Sequence, residues 1–263
     1  MQTKMPADAS VDGGATSEDA VLGGKLVLRQ PLRGHRFGHD SILLAAATPA
    51  RAGEHAVELG AGVGAAGLAL ARRIEALTVT LVEIDPALTA LANANAVRNA
   101  LGGRVRAVCL DVAAPAAAFA AAQLAPEAAD HVLMNPPFNA PQNPSPDRGR
   151  RMARTASHET LSLWLYAAAR LLRPAGVVTL IWRADGLDSV LAALATGFGA
   201  VSILPIYPKP DVPAIRVLAR AAKDRSGPLS LLPGLVLAGA DGKPSAQANA
   251  VLRDGAALSL PES

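Results

Sequence analysis

Five short apolar runs, "HAVEL" (55–59), "LTVTLVEID" (77–85), "GRVRAVCLD" (103–111), "DHVLMN" (130–135) and "GVVTLIW" (176–182), alternate with alanine- and leucine-rich segments near 64–75, 86–100, 113–124, 158–172 and 186–196. The runs have strand length, and the spacers are built from strong helix formers. Strands alternating with helices predict a doubly wound, mainly parallel α/β sheet of the Rossmann-like kind. In such sheets ligands lie beyond the carboxyl ends of the strands, near the point where strand order reverses. The loops that follow strands are therefore the places to search for chemistry.

At 263 residues, 51% hydrophobic and 18% charged, the chain can bury the core of one large domain. The expected layout is a flexible tail over 1–24 and a single domain over 25–263. Within that domain, 25–50 holds a hairpin turning near Pro31 to Gly34 and a helix opened by Asp40 or Ser41 and closed by Pro49. The catalytic core spans 51–223, and a C-terminal extension 224–263. The net charge of +3 permits a nucleic-acid partner without requiring one. A single cysteine, Cys109, excludes an internal disulfide and a cysteine-based zinc site. It is expected to pack in the core of the third run. The apolar runs fall short of the roughly 20 residues that span a bilayer, and the first 24 residues lack a signal-peptide pattern. A cytoplasmic protein with no membrane segment is expected.

The loop "VELGAGVGAAGLALA" places Gly60, Gly62, Gly64 and Gly67 between the first strand and a helix. Absent side chains let the backbone turn and a ligand approach it. Gly62 to Gly67 also spells G-x-G-x-x-G, with Glu83 19 positions after Gly64, which raises a dinucleotide and an NAD-dependent oxidoreductase. Glu58 argues against that: a carboxylate beside the turn repels a pyrophosphate and attracts a cationic cofactor. S-adenosylmethionine carries a sulfonium and an ammonium. Glu83, ending the second strand, can accept hydrogen bonds from ribose hydroxyls, and Asp111, ending the third, from an adenine amine. Asp85 suits a cap on the helix opening at Pro86. Each acid alone is equally a helix cap or a solvated loop residue; their succession at strand ends favours the cofactor.

The fourth strand ends in "NPPF", Asn135, Pro136, Pro137 and Phe138. A planar aromatic amine is a poor nucleophile because its lone pair is delocalised, and what helps is geometry. The Asn135 side-chain oxygen and the Pro136 carbonyl can each accept one of its hydrogens and draw the lone pair toward a methyl donor. The prolines stiffen the turn, and Phe138 offers a face on which a planar substrate can stack. A proline-rich turn closing a strand accounts for Pro136 and Pro137 but not for Asn135 or Phe138.

After this turn, "DRGRRMARTASHE" holds Arg148, Arg150, Arg151 and Arg154 on an expected flexible loop, suited to phosphate contacts and equally to a solvated basic face. From Lys209 through Arg216 and Arg220 to Lys223, charges on late strands are expected either to face water or to meet substrate, with Arg216 preferred for the latter. His35 and His39 lack a third ligand nearby, so no metal is expected.

Together "ELGAGVG", "LVEID", "CLD" and "MNPPF" resemble the class I S-adenosylmethionine-dependent methyltransferases that modify an amino nitrogen in a planar group. Within that class the chain resembles the bacterial family that methylates adenine N6 in a valine tRNA. "LRGHRFGHDSILLAA" and "IYPKPDVPAIRVLARAAK" support this, and the resemblance covers roughly residues 22–255. It implies that Glu58, Gly60, Gly62 and Gly64 hold the methionine end of the cofactor, Glu83 the ribose and Asp111 the adenine. It further implies Asp40 close to the cofactor and Asn135 to Phe138 around the acceptor amine, with no metal or covalent intermediate. Arg148, Arg150, Arg151 and Arg216 are the substrate-side candidates. Families with the same four-residue turn methylate guanine N2 in ribosomal RNA or a glutamine amide in a protein.

Overall fold

The computed structural model describes residues 15–33, 36–137, 148–258 and 260, with 148–158 as backbone only. It begins with a hairpin: β1 (Thr16–Val21) and β2 (Leu26–Pro31) pair antiparallel, Val21 opposite Leu26. The turn lies at Leu22–Gly24, where Gly23 and Gly24 take φ of 64° and 89°. Both expectations for this region are corrected. From Thr16 onward the presumed tail is a strand, and the hairpin turns at the glycine pair, not near Pro31 to Gly34. Pro31, which has no N–H to donate, ends β2 instead. The hairpin holds its place because Leu26 and Leu28 are fully buried.

The helix α1 (His39–Ala47) follows, with Gly38 as its N-cap; Asp40 lies in the first turn and caps nothing. The alternation then unfolds as β3 (His55–Leu59), α2 (Ala65–Arg73), β4 (Thr78–Glu83), α3 (Pro86–Arg98), β5 (Val105–Cys109), α4 (Ala116–Ala121), β6 (Ala129–Met134), α5 (Arg148–Leu171), β7 (Leu172–Arg183), α6 (Leu187–Leu194), β8 (Phe198–Tyr207) and β9 (Arg216–Lys223). Two short strands, β10 (Ser230–Leu231) and β11 (Leu235–Val236), and α7 (Ala246–Leu252) come last. Asp85 caps α3 as expected, its Oδ1 accepting the N–H groups of Ala87 at 2.7 Å and Leu88 at 3.2 Å.

Among the described residues the main sheet runs β10-β8-β9-β7-β6-β3-β4-β5, with β11 also paired to β8. β3 to β7 are parallel, and β9 is antiparallel to both of its neighbours. The chain runs outward from β3 through β4 to β5, then returns to lay β6 on the other side of β3. Strand order therefore reverses between β3 and β6, and the crevice beyond their carboxyl ends is where a ligand fits. Because β9 runs backwards, it begins at this same end, with Arg216 opposite Arg183 at the end of β7.

Two apolar layers cover the sheet. Val79, Leu81 and Ile181 pack with Leu43, Leu44, Leu68 and Leu70 of α1 and α2, and Leu235, Val251 and Leu258 bring the C-terminal extension into the same core. On the other face Val57, Leu59, Val132 and Leu180 meet Phe119 of α4, Leu161 and Leu165 of α5 and Val190 of α6.

Three local expectations change. The arginine-rich segment from Arg148 is the first part of the 24-residue helix α5, not a loop. Arg220 does not face water: it is buried, and its guanidinium donates to the Leu260 carbonyl at 2.8 Å, because β9 lies inside the sheet. Cys109 is exposed, since β5 is an outer strand and Cys109 its last residue.

Candidate active site

The glycine loop is fixed by its own backbone. Ala61 N–H donates to the Val82 carbonyl at 2.9 Å and Gly64 N–H to the Ala61 carbonyl at 2.8 Å, while Gly64, at φ 85°, stands as the N-cap of α2. A side chain at Gly62 would enter open space, so the absence of one leaves the loop accessible there. Gly60 differs: its missing side chain makes room for the Trp164 ring of α5. At Gly64 and Gly67 a side chain would press on Leu81, so these two serve the packing of α2 on β4.

Glu58 is buried near the end of β3, and its Oε2 accepts the Gly67 N–H at 2.7 Å. Burial pushes its carboxyl up to about 8; the Gly67 N–H opposes this, and the nearby Glu83 charge adds to it. Near neutral pH Glu58 therefore holds a proton that a cation placed beside it would displace. Glu83, at the end of β4, spans the loop: Oε2 accepts Gly62 N–H at 2.7 Å and Oε1 accepts Asp85 N–H at 2.9 Å. Each oxygen keeps a lone pair for a further donor. Asp111, exposed beyond β5, accepts the Ala113 N–H on Oδ1 at 2.8 Å.

Asn135 stands beyond the last residue of β6, beside the end of β3. Its Oδ1 is buried and, among the described residues, accepts no hydrogen bond, whereas buried polar atoms nearly always find a partner. Pro136 behind it is buried and Pro137 exposed; Phe138 lies outside the described residues. Asp40 and Arg216, assigned from sequence to cofactor and substrate, meet one another: Arg216 Nε donates to Asp40 Oδ2 at 2.8 Å. Arg148, Arg150 and Arg151 are placed by their backbone in the first turn of α5.

Glu58, Gly62, Glu83, Asp111 and Asn135 thus gather at the ends of four adjacent strands, β5, β4, β3 and β6. Carboxylates at three of these ends suit a cation bearing ribose and adenine, and the acceptor-only oxygen of Asn135 suits a donor. Two nearby residues were missed from sequence. Trp164 gave no signal, being one apolar residue on a helix face. Ile84 did give one, as an apolar residue past the end of its strand, and it is 62% exposed between Glu83 and Asp85.

A separate cavity of about 410 Å³ lies at the opposite end of β4 and β5, lined by His55, Thr78, Thr80, Arg104 and Arg106. Its polar groups are already engaged. Arg104 donates to the Ile74 and Leu77 carbonyls, Arg106 to those of Ala122 and Gln123, and His55 meets Thr80 Oγ1. Size alone does not make it the site.

The model of the methyltransferase small domain family matches residues 35–205. The chain belongs to this family and is an S-adenosylmethionine-dependent methyltransferase. It is similar to proteins named tRNA1(Val) (adenine(37)-N6)-methyltransferase. That of Bacteroides fragilis is 29% identical over 184 residues, 70% of this chain and 75% of the relative. That of Porphyromonas gingivalis is 32% identical over 61% of this chain and 64% of the relative. Among solved structures, a predicted O-methyltransferase from Agrobacterium tumefaciens superposes with a TM-score of 0.71 at 26% identity, covering 84% of this chain and 99% of its own. No helix among the described residues is long and apolar enough to cross a membrane.

Proposed function

We propose that this methyltransferase acts on the exocyclic amine of an adenine in tRNA, in the cytoplasm. The observation that carries the reading is the buried, unpartnered Oδ1 of Asn135 at the switch point of the sheet. Leaving such an oxygen unpaired costs about 1–3 kcal/mol, which a substrate N–H recovers on binding. Asn135 Oδ1 and the Pro136 carbonyl are two acceptors for the two hydrogens of one amine. A hydroxyl, with a single hydrogen, leaves one of them unmatched, so the reading favours nitrogen over oxygen as acceptor.

Bound at the glycine loop, S-adenosylmethionine supplies an electrophilic methyl group on a sulfonium. There Glu58 would face its positive end, Gly62 would give it room, Glu83 would hold the ribose hydroxyls and Asp111 the adenine. Asn135 and Pro136 would accept the two hydrogens of the acceptor amine and so turn its lone pair away from them, and Phe138 would offer a face for the ring that carries the amine. Asn135 takes no proton, since an amide is not a base near neutral pH. The proton released by the methylated amine passes to water.

The names of the relatives support tRNA as the substrate class, and the arginines at the start of α5 provide positive charge following Phe138 in sequence. A protein glutamine would use the same two acceptors but has no need of an aromatic platform flanked by arginines. The test is to incubate the enzyme with labelled S-adenosylmethionine and total RNA or total protein from a strain lacking its gene. N6-methyladenosine recovered from the tRNA fraction is the expected product. Label in N2-methylguanosine, or only in a protein band, would overturn the acceptor while leaving the cofactor site intact.

A further inference from the structure

Asn93 and Asn95 of α3 and Asn99 at its C-cap make the same kind of contact, and one of them makes a further one. Asn93 accepts the Ala107 N–H of β5 at 2.8 Å and donates to the Ala107 carbonyl at 3.0 Å. Asn99 does the same with Val27 of β2, at 2.9 Å in both directions, and Asn95 with Arg29, at 2.8 and 3.0 Å. Each amide nitrogen has a second hydrogen. In Asn93 and Asn99 it returns to carbonyls of the same helix, Thr89 at 3.3 Å and Asn95 at 2.8 Å. In Asn95 it leaves the helix and reaches the carbonyl of Val63 at 3.0 Å.

Val63 is the residue between Gly62 and Gly64, and both glycines have positive φ. A peptide plane that adjoins a glycine swings easily, and a fixed carbonyl removes that freedom. Asn95 holds the plane after Val63 by its oxygen, while the Gly64 N–H of the same plane is held by Ala61 at 2.8 Å. Asn95 has no exposed surface, so water cannot take over the lost bond at the native geometry. Its other partner lies in the N-terminal hairpin. There the next residue, Gln30, accepts the Phe37 N–H at 3.2 Å, in the segment that leads to Asp40.

We propose that Asn95 is a positioning residue for the cofactor. It ties Arg29 of the N-terminal hairpin directly to the Val63 carbonyl of the glycine loop, so that loop conformation and S-adenosylmethionine affinity are thermodynamically linked through this one side chain. This rests on the reading that the glycine loop holds the cofactor. Asn99 and Asn93 are internal controls, because they grip strands in the same way without touching the loop.

The experiment is calorimetric titration of the full chain and of Asn95→Ala, Asn99→Ala and Asn93→Ala with S-adenosylmethionine, alongside thermal melts and saturation kinetics. Asn95→Ala is expected to raise Kd and KM for the cofactor about tenfold, with kcat within threefold of wild type. The two controls should move Kd less than threefold, although all three variants lose thermal stability. Equal Kd for Asn95→Ala and Asn99→Ala overturns the proposal. Should Asn95→Ala not fold, hydrogen exchange on the wild type decides: the cofactor must protect the Arg29 amide more than the Val27 amide, and equal protection overturns it. A wild type that binds no S-adenosylmethionine overturns both the proposal and the cofactor reading, and is told apart by the first titration.

Discussion

The ring of Trp164 occupies the space that a side chain at Gly60 would need, so a helix that follows the NPPF turn in sequence rests directly on the glycine loop. Gly60→Ala meets two obstacles: a φ of 65°, costing roughly 1–2 kcal/mol for a residue with a Cβ, and the indole itself, with an overlap cost of about 1–3 kcal/mol. In a Trp164→Leu background only the first remains. Denaturant unfolding of both single variants and the double should therefore show coupling. Strict additivity would mean that the ring is not what excludes a side chain.

Glu58 makes the protein and its cofactor respond to pH in opposite senses. Its folded pKa of about 8 stands above the ordinary 4.5, so the folded state holds a proton that the unfolded state has released between these values. Stability from this group is therefore lost as pH rises from about 4.5 to 8. Cofactor affinity runs the other way, because a sulfonium and an ammonium favour the carboxylate. Kd should fall as pH rises from 6 to 8, with proton release detected by calorimetry in buffers of different ionisation enthalpy. Glu58→Gln should abolish both dependences. A wild-type Kd that is flat over this range removes Glu58 from the charge recognition.

Asn135→Ala should lower kcat roughly 10²-fold or more, since it removes a preorganised contact to the reacting nitrogen. Cofactor affinity should change little. The buried, unpartnered oxygen gives this variant a second signature: it should melt at or above the temperature of the wild type when no substrate is present. Loss of stability together with wild-type turnover would assign Asn135 to the fold instead.

Arg216 and Asp40 should behave as one unit. If Arg216 acts by holding Asp40, then Arg216→Ala, Asp40→Ala and the double variant should raise KM for S-adenosylmethionine to about the same extent. If Arg216 instead meets a phosphate, its loss should reduce the salt dependence of RNA binding and leave cofactor KM alone. Steady-state kinetics at two salt concentrations separates these results.

The arginines at the start of α5 give a prediction that depends on the acceptor. Contacts to single-stranded RNA phosphates each contribute a slope of roughly −0.7 to log K against log salt, so Arg150→Ala with Arg151→Ala should flatten it by about 1.4. An unchanged slope would leave these residues as a solvated face of the helix.

The strands were legible because each is a short apolar run bounded by turn residues, and "HAVEL" matches β3 end to end. The acids at strand ends were legible too, since parallel strands place their last residues on one side. Contacts made across the fold were not. Nothing in the pattern of β9 distinguishes an outer strand from one wedged between β7 and β8, so Arg220 was expected to face water or substrate and is buried. Cys109 was expected in the core for the converse reason. The pairing of Asp40 with Arg216 joins residues 176 positions apart, and only the reversed direction of β9 brings them together.

Asn93 has a consequence beyond the site. β5 is the last strand of the sheet, and its hydrogen bonds to β4 leave Ala107 pointing outward with a free N–H and carbonyl, the groups to which a foreign strand would attach. The Asn93 amide occupies both. A strand of five residues whose middle rung is already taken offers a poor template for recruitment, so the side chain guards the molecule against edge-to-edge aggregation. The same repeated asparagine that steadies the hairpin on one side of α3 thus keeps the sheet from growing on the other.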